Sequence, residues 1–337
     1  MIKIDVFNKY FLNLFIGFRI FLYILVKNKQ NLEKGLIFGI IATILIGLQP
    51  IVANARPEFI DPYVYSVLTL FFEALIFFPI MIIQRLLFKS KYKRELIGQE
   101  ELDSYLHGFK KNKLRLLYVG VTFAVGQILF FLGYGLAGSI NGSLAQKSTI
   151  FFSLLFGYII LNERITKIQV VFSIFLFFGL ILAVTEGTFN LLELNLGVII
   201  ILFLSVIWML AHTFTKPIFS RKEGYPSQIV FIRNIIGAII LFTIFLIIFP
   251  IELITMLSNP IVVFWGFLMG TTYGIGLYFW YTTLKYLDVA KASILLSPTP
   301  IVTAIFATLF LGEVFTIFHL IGMVIVITSI IIIMREK

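Results

Sequence analysis

Apolar runs of roughly twenty residues alternate with short polar punctuation from residue 35 to residue 334. A helix needs about 20 predominantly apolar residues to cross the hydrocarbon core of a bilayer. Ten segments meet that length: 35–54, 62–88, 116–137, 140–161, 167–185, 195–215, 227–249, 260–283, 289–311 and 315–334. The connectors between them carry turn and breaker residues: Asn54 to Pro57, Gly138 to Asn141, Lys216-Pro217, Pro226, Pro250 and Pro260. The predicted fold is therefore all-α, a polytopic membrane protein of ten transmembrane helices.

Composition agrees with the pattern. Hydrophobic residues make up 60% of the 337-residue chain and charged residues only 13%, against about 25% charged in a soluble domain. Mean hydropathy is +1.02. The absence of cysteine excludes a disulfide framework, a thiolate metal site and a cysteine nucleophile. His107, His212 and His319 lie too far apart for metal-ligand spacing, so no metal or other cofactor is expected. No GxxxxGK[ST] phosphate loop, GxSxG elbow or paired catalytic carboxylates occur, so neither ATP hydrolysis nor other enzyme activity is expected. The start, MIKIDVFNKY, has no small-residue cleavage site after it, so no secretory signal peptide is expected.

The net charge of +10 does not point to nucleic acid, because Lys and Arg in a membrane protein gather in cytoplasmic loops. With the amino terminus inside, the cytoplasmic pieces (1–34, 84–115, 162–167, 216–226, 284–291 and 335–337) hold 24 of the 27 Lys and Arg residues. The outer loops hold only Arg56, against the acids Glu58, Asp61, Glu186, Glu193, Glu252 and Glu313. Both termini are thus expected in the cytoplasm and the protein in a plasma (inner) membrane. Residues 1–34 form a separate extension; its run 10–26 carries Arg19 and suits an interfacial helix better than a span. The charged connector 89–115 reads as a solvated helix-turn beside anionic headgroups.

A shift of 150 residues places SLAQKSTIFFSLLFGYIILNERIT (143–166) on SILLSPTPIVTAIFATLFLGEVFT (293–316). Ser143/Ser293, Thr149/Thr299, Phe156/Phe306, Leu161/Leu311, Glu163/Glu313 and Thr166/Thr316 coincide. The chain then divides into repeats at 35–185 and 186–337. Five spans in each repeat is an odd number, so the copies face opposite ways, as in carriers that work by alternating access. Ten spans, this five-plus-five inverted repeat, and the small-residue, proline and LGE pattern of LSPTPIVTAIFATLFLGEVFTIFHLIGMVIVI (296–327) resemble the drug/metabolite transporter superfamily, specifically its EamA-like members. The resemblance covers about 35–334 and implies a secondary transporter, an efflux protein, of a small polar solute. The chain departs from the pattern in residues 1–34, in the loop 89–115, and in Lys147-Ser148-Thr149-Ile150, which stand where the second repeat has Ser297-Pro298-Thr299-Pro300. A channel or lipid-handling protein is the rival reading, although a channel needs a continuous polar stripe and only isolated polar residues occur. The expected partners are a small-molecule substrate and the lipid bilayer, with no nucleic acid; a homodimer is left open.

Candidate site residues follow from what a bilayer makes expensive. Pro298 and Pro300 each lack an N–H and free the carbonyls of Ile294 and Leu296, and exposed carbonyls at membrane depth need protein or a wet cavity. Lys147 occupies the mirrored place, and an ammonium in a span costs about 2.5–3.5 kcal/mol on insertion scales. It can snorkel outward past Ser139 and Asn141, pair with a buried acid, or face the cavity and bind a carboxylate or phosphate. Glu73, the deepest acid, is either a neutral hydrogen-bonded carboxyl or a candidate for proton coupling. Arg233 is expected to snorkel or to cap a structural contact. The candidate substrate-binding set is Lys147, Ser148, Gln49, Gln127, Tyr134, Trp208, Tyr273, Ser297, Pro298 and Thr299. Trp208 shares a helix face with His212, and Tyr278, Trp280 and Tyr281 lie near Tyr273. Glycine steps such as Gly266–Gly270 suit close helix packing.

Overall fold

A computed structural model describes residues 30–162, 164–190, 195–287, 292 and 295–335. Expectations about residues 1–29, Glu163, Glu193, Lys291, Ser293 and Ile294 lie outside the described residues. The helices are α1 (Gln30–Asn54), α2 (Pro62–Lys93), α3 (Gln99–His107), α4 (Lys113–Ala137), α5 (Ser139–Ala145), α6 (Thr149–Leu161), α7 (Lys167–Val184), α8 (Leu196–Ser220), α9 (Pro226–Ile248), α10 (Ile251–Thr255), α11 (Pro260–Tyr286), α12 (Thr299–Phe310) and α13 (Ile317–Arg335). No strand occurs among the described residues. Eight helical segments have the length and apolarity to cross a membrane, with α5 and α6 counted as one continuous span. The shorter apolar helices 299–310 and 317–333 complete the ten. The fold is an all-α polytopic membrane protein.

Helix ends are set by local chemistry. Asp61 accepts the Tyr63 N–H at 2.7 Å to open α2, Asn195 the Gly197 N–H at 2.7 Å to open α8, and Asn259 the Ile261 N–H at 2.9 Å to open α11. Repeat-related boxes open α7 and α13. The Thr166 hydroxyl accepts the Gln169 N–H at 3.2 Å, while the Thr166 N–H donates to the Gln169 side chain at 2.9 Å. In the second copy Thr316 and His319 repeat the arrangement at 3.3 Å and 3.0 Å.

Helices of the two halves pack in mirrored pairs. α1 lies on α11 as α4 lies on α8, α2 on α11 as α4 on α9, and α1 on α12 as α6 on α8. The remaining extensive contacts, α2 with α9 and α7 with α13, are their own mirror images. The α7–α13 crossing depends on Gly179 and Gly322. A Cβ on Gly322 would lie 2.4 Å from the Gly179 carbonyl oxygen, and one on Gly179 2.9 Å from that of Gly322. Close backbone approach of this kind drives helix association where lipid removes the hydrophobic incentive.

Two spans are interrupted at repeat-related places. Between α5 and α6 the chain tightens to a 3-10 turn at Gln146–Ser148, and just before α12 residues 296–298 form a turn. Thr149 and Thr299 then restart the helices. The connector after α2 is more ordered than a solvated turn. Leu102, Tyr105 and Leu106 of α3 are buried, and Tyr105 stacks on Phe88 with centroids 4.4 Å apart. The connector reaches the α8–α9 loop through Lys222–Glu101 at 2.8 Å and Asn112–Glu223 at 2.8 Å.

Candidate functional site

The interrupted spans meet α1, α4, α8 and α11 around a cavity with about 690 Å³ of space between its atoms, mouth included. Its walls come from three repeat-related pairs of spans: Ile46 and Gln49 on α1 with Trp208, Met209 and His212 on α8; Phe123 on α4 with Tyr273, Leu277 and Trp280 on α11; and Gln146, Lys147, Thr149 and Ile150 with Leu296. Spacings of three, four and seven residues along α8 and α11 put the ring-bearing side chains on one face.

Among the described residues, Lys147 is the one cation in the lining, and no Asp or Glu lines the cavity. It does not snorkel outward: only 5% of its surface is exposed, and its ammonium donates to the Leu296 carbonyl of the opposite half. That carbonyl also accepts the Thr299 N–H at 3.1 Å and the Thr299 hydroxyl at 2.5 Å. Pro300 explains why it is available, because the N–H that a helix would direct to Leu296 does not exist. The neighbouring Leu295 carbonyl accepts from the Thr43 hydroxyl, and Thr303 donates to the Gly47 carbonyl at 2.9 Å. The carbonyls of Leu295 and Leu296 are thus satisfied by Thr43 of α1, Thr299 and Lys147, as membrane depth requires.

Aromatic rings complete the walls. Trp208 lies 6.3 Å from Tyr273 and 6.1 Å from Phe123, and His212 lies 5.8 Å from Trp280, all between ring centroids. The Trp208 indole N–H is wedged against Gly126, where a Cβ would come within 2.4 Å of Nε1. Among the described residues, Trp280 Nε1, Trp208 Nε1 and His212 Nδ1 are buried with no hydrogen-bond partner.

Of the residues expected from sequence, Lys147, Gln49, Trp208 and Tyr273 line this cavity together. Gln49 donates to the Tyr273 carbonyl at 3.4 Å, a long contact that leaves its amide open to other partners. Tyr134 stands one layer back and donates to Gln146 Oε1 at 3.0 Å. Ser148, Ser297 and Thr299 are buried behind the surface, Pro298 lies in the turn, and Gln127 is fully enclosed outside the lining. Gln146 and Phe123 were not singled out from sequence. Gln146 adjoins Lys147 at the helix break, the signal that could have found it; Phe123 is one phenylalanine among 38.

Glu73 sits apart from the cavity. Its Oε2 accepts from Arg233 Nη2 at 3.1 Å and from the Asn234 amide. Arg233 is fully buried, so the expectation that it snorkels is corrected. A guanidinium this deep is held by its carboxylate and by the face of Phe123, 3.9 Å from the ring centroid. Phe123 is therefore the partition between this ion pair and the cavity.

A family model described as the EamA-like transporter family matches the chain twice, over residues 33–185 and 195–335. A curated relative, the "Uncharacterized transporter YyaM" of Bacillus subtilis (strain 168), is 28% identical over 238 residues, covering 67% of this chain and 76% of the relative. A solved crystal structure superimposes with a TM-score of 0.61 at 12% identity, covering 90% of this chain and 99% of that one. That last likeness speaks to the fold alone. With the family model spanning nearly every described residue and the mirrored helices enclosing one cavity, the chain belongs to the EamA-like transporter family and is an integral membrane transporter.

Proposed function

We propose that the protein is a secondary active carrier that exports a small polar metabolite by alternating access, its two halves rocking about the cavity between them. The observation that carries this reading is a cavity walled by three repeat-related pairs of spans, with a buried lysine facing in from one half and a broken helix from the other. Discontinuous helices at a repeat interface are the usual location of transporter substrate sites. Lys147 would engage an anionic group, Gln49 and Gln146 would bond polar groups, and Trp208 and Tyr273 would flank the body. Tyr134, Ser148, Ser297, Pro298, Thr299 and Gln127 would shape the site from behind. Glu73 is the proposed coupling carboxyl. The face bearing α3 and the basic loops is the proposed cytoplasmic side of a plasma membrane. Export is assigned by fold-level analogy.

Purified protein in proteoliposomes tests the reading. A carrier gives saturable uptake that is accelerated by solute on the far side. An unsaturable conductance would instead make the protein a pore.

A further inference from the structure

We infer that Lys147 is a latch between the halves, released when the carboxylate of a ring-bearing monoanionic solute displaces the Leu296 carbonyl from its ammonium. This deepens, and rests on, the reading of the cavity as the transport site. An ammonium offers three donors and carries a full charge. Here, among the described residues, it donates to one neutral carbonyl across the repeat boundary and has no ion pair. A carbonyl satisfies a donor without neutralising a charge. A carboxylate does both, and charge-assisted bonds are roughly twice as strong as neutral ones. Exchange of partners at Lys147 is therefore favourable in a buried site. Among the described residues, it also removes the one hydrogen bond that joins Lys147 to the opposite half.

The walls restrict which anion fits. Among the described residues, one lining cation and no lining carboxylate suit a single negative charge and provide no counter-charge for an ammonium. Trp208, Tyr273 and Trp280 offer ring surfaces to a flat apolar body. The Leu296 carbonyl retains the Thr299 N–H and hydroxyl when Lys147 leaves, so release strands no backbone group. A ligand shifts a conformational equilibrium only through differential interaction with its states. The carboxylate has that difference, because it competes with a contact made in one arrangement of the halves.

The test uses full-length protein with benzoate, benzamide and benzylamine as probes. The three tryptophans, two of them lining the cavity, report binding by fluorescence. The natural lack of cysteine lets Ser297→Cys report accessibility by maleimide labelling. Benzoate is expected to bind about tenfold or more tighter than benzamide or benzylamine, the scale of one charge-assisted hydrogen bond. Lys147→Met should reduce benzoate to the level of benzamide and leave benzamide unchanged. In the Ser297→Cys background, benzoate should accelerate labelling, whereas Lys147→Met should label fast without it. Pro300→Ala is the second variant. It adds a second backbone N–H able to donate to the Leu296 carbonyl, beside that of Thr299, and so competes with the ammonium, raising benzoate affinity where Lys147→Met lowers it. Benzoate binding no tighter than benzamide, labelling indifferent to Lys147→Met, or loss of affinity in Pro300→Ala overturns the latch. Benzoate flux is read separately, so a protein that binds and unlatches but carries nothing overturns the transport reading instead.

Discussion

Glu313 of the second half caps the helix that Ser139 opens in the first: its carboxylate accepts the Ser139 N–H at 2.7 Å and the Ile140 N–H at 2.9 Å. Gly138 permits the approach, with φ of 78° and space for a Cβ no closer than 3.4 Å to the same carboxylate. Four N–H groups at a helix start lack helical partners, and an anion placed there also favours the helix dipole. Glu313→Ala should therefore lower stability by about 1 kcal/mol, the typical cost of a lost N-terminal cap. Thermal unfolding in detergent reads it; an unchanged midpoint would show that the contact contributes nothing net.

The Glu73–Arg233 pair predicts a larger loss. Breaking a buried ion pair by removing one partner costs about 3–5 kcal/mol, because the other charge stays buried and uncompensated. Glu73→Leu should destabilise by that order, and the double variant Glu73→Leu, Arg233→Leu should recover much of it. Glu73→Gln tests coupling: flux that no longer responds to a pH gradient while solute still binds supports a proton on this carboxyl. Unaltered pH-gradient dependence would make the pair purely architectural.

Gly126 controls the position of Trp208. A methyl group there would sit 2.4 Å from the indole nitrogen, and backbone on one side leaves the ring to yield toward the cavity. Gly126→Ala should reduce the affinity of a ring-bearing probe and shift the tryptophan emission, while a Gly135→Ala control meets no atom within 4 Å. Equal affinities in the two variants would mean that the wall tolerates the displaced ring.

Lys222 and Glu101 tie the α3 connector to the α8–α9 loop at 2.8 Å. The hydrogen bond that Lys222 donates to Glu101 raises its ammonium above the ordinary lysine pKa. A raised pKa in the folded protein means that the contribution is complete below the unfolded value. It is lost as pH climbs through the folded one. More than half of the Lys222 side chain is exposed, so the contribution is limited to about 0.2–1 kcal/mol and weakens with salt. Wild type and Lys222→Ala should differ slightly in melting temperature at neutral pH and low salt. The difference should vanish above the lysine range or at high salt, and one that persists under both conditions would point to lost packing instead.

Much of the architecture is legible in the sequence because a bilayer imposes a length and an apolarity on each span. The caps at Asp61, Asn195 and Asn259 stand at positions that local rules favour. The ninth segment is broken rather than continuous: a proline-bearing turn occupies 296–298 and α12 starts at Thr299. The interruption at 146–148 has no proline to announce it, although Lys147 stands out both as an ammonium within a span and by its place in the repeat. The site was half legible. Trp208 and Tyr273 announce themselves as rings inside spans, whereas the choice of Phe123 from so many phenylalanines depends on how α4 is rotated. The Glu73–Arg233 contact joins residues 160 positions apart, and no periodicity in either helix connects them.

The two interrupted spans differ in one chemical respect. Residues 298 and 300 are prolines, whereas every residue from Gln146 to Ile150 retains its amide hydrogen. The amino-terminal discontinuity can therefore wind back into continuous helix, while its carboxy-terminal counterpart is permanent. Near-symmetry of shape thus conceals a chemical inequality: the first interruption has every amide a helical ladder needs, and the second lacks two.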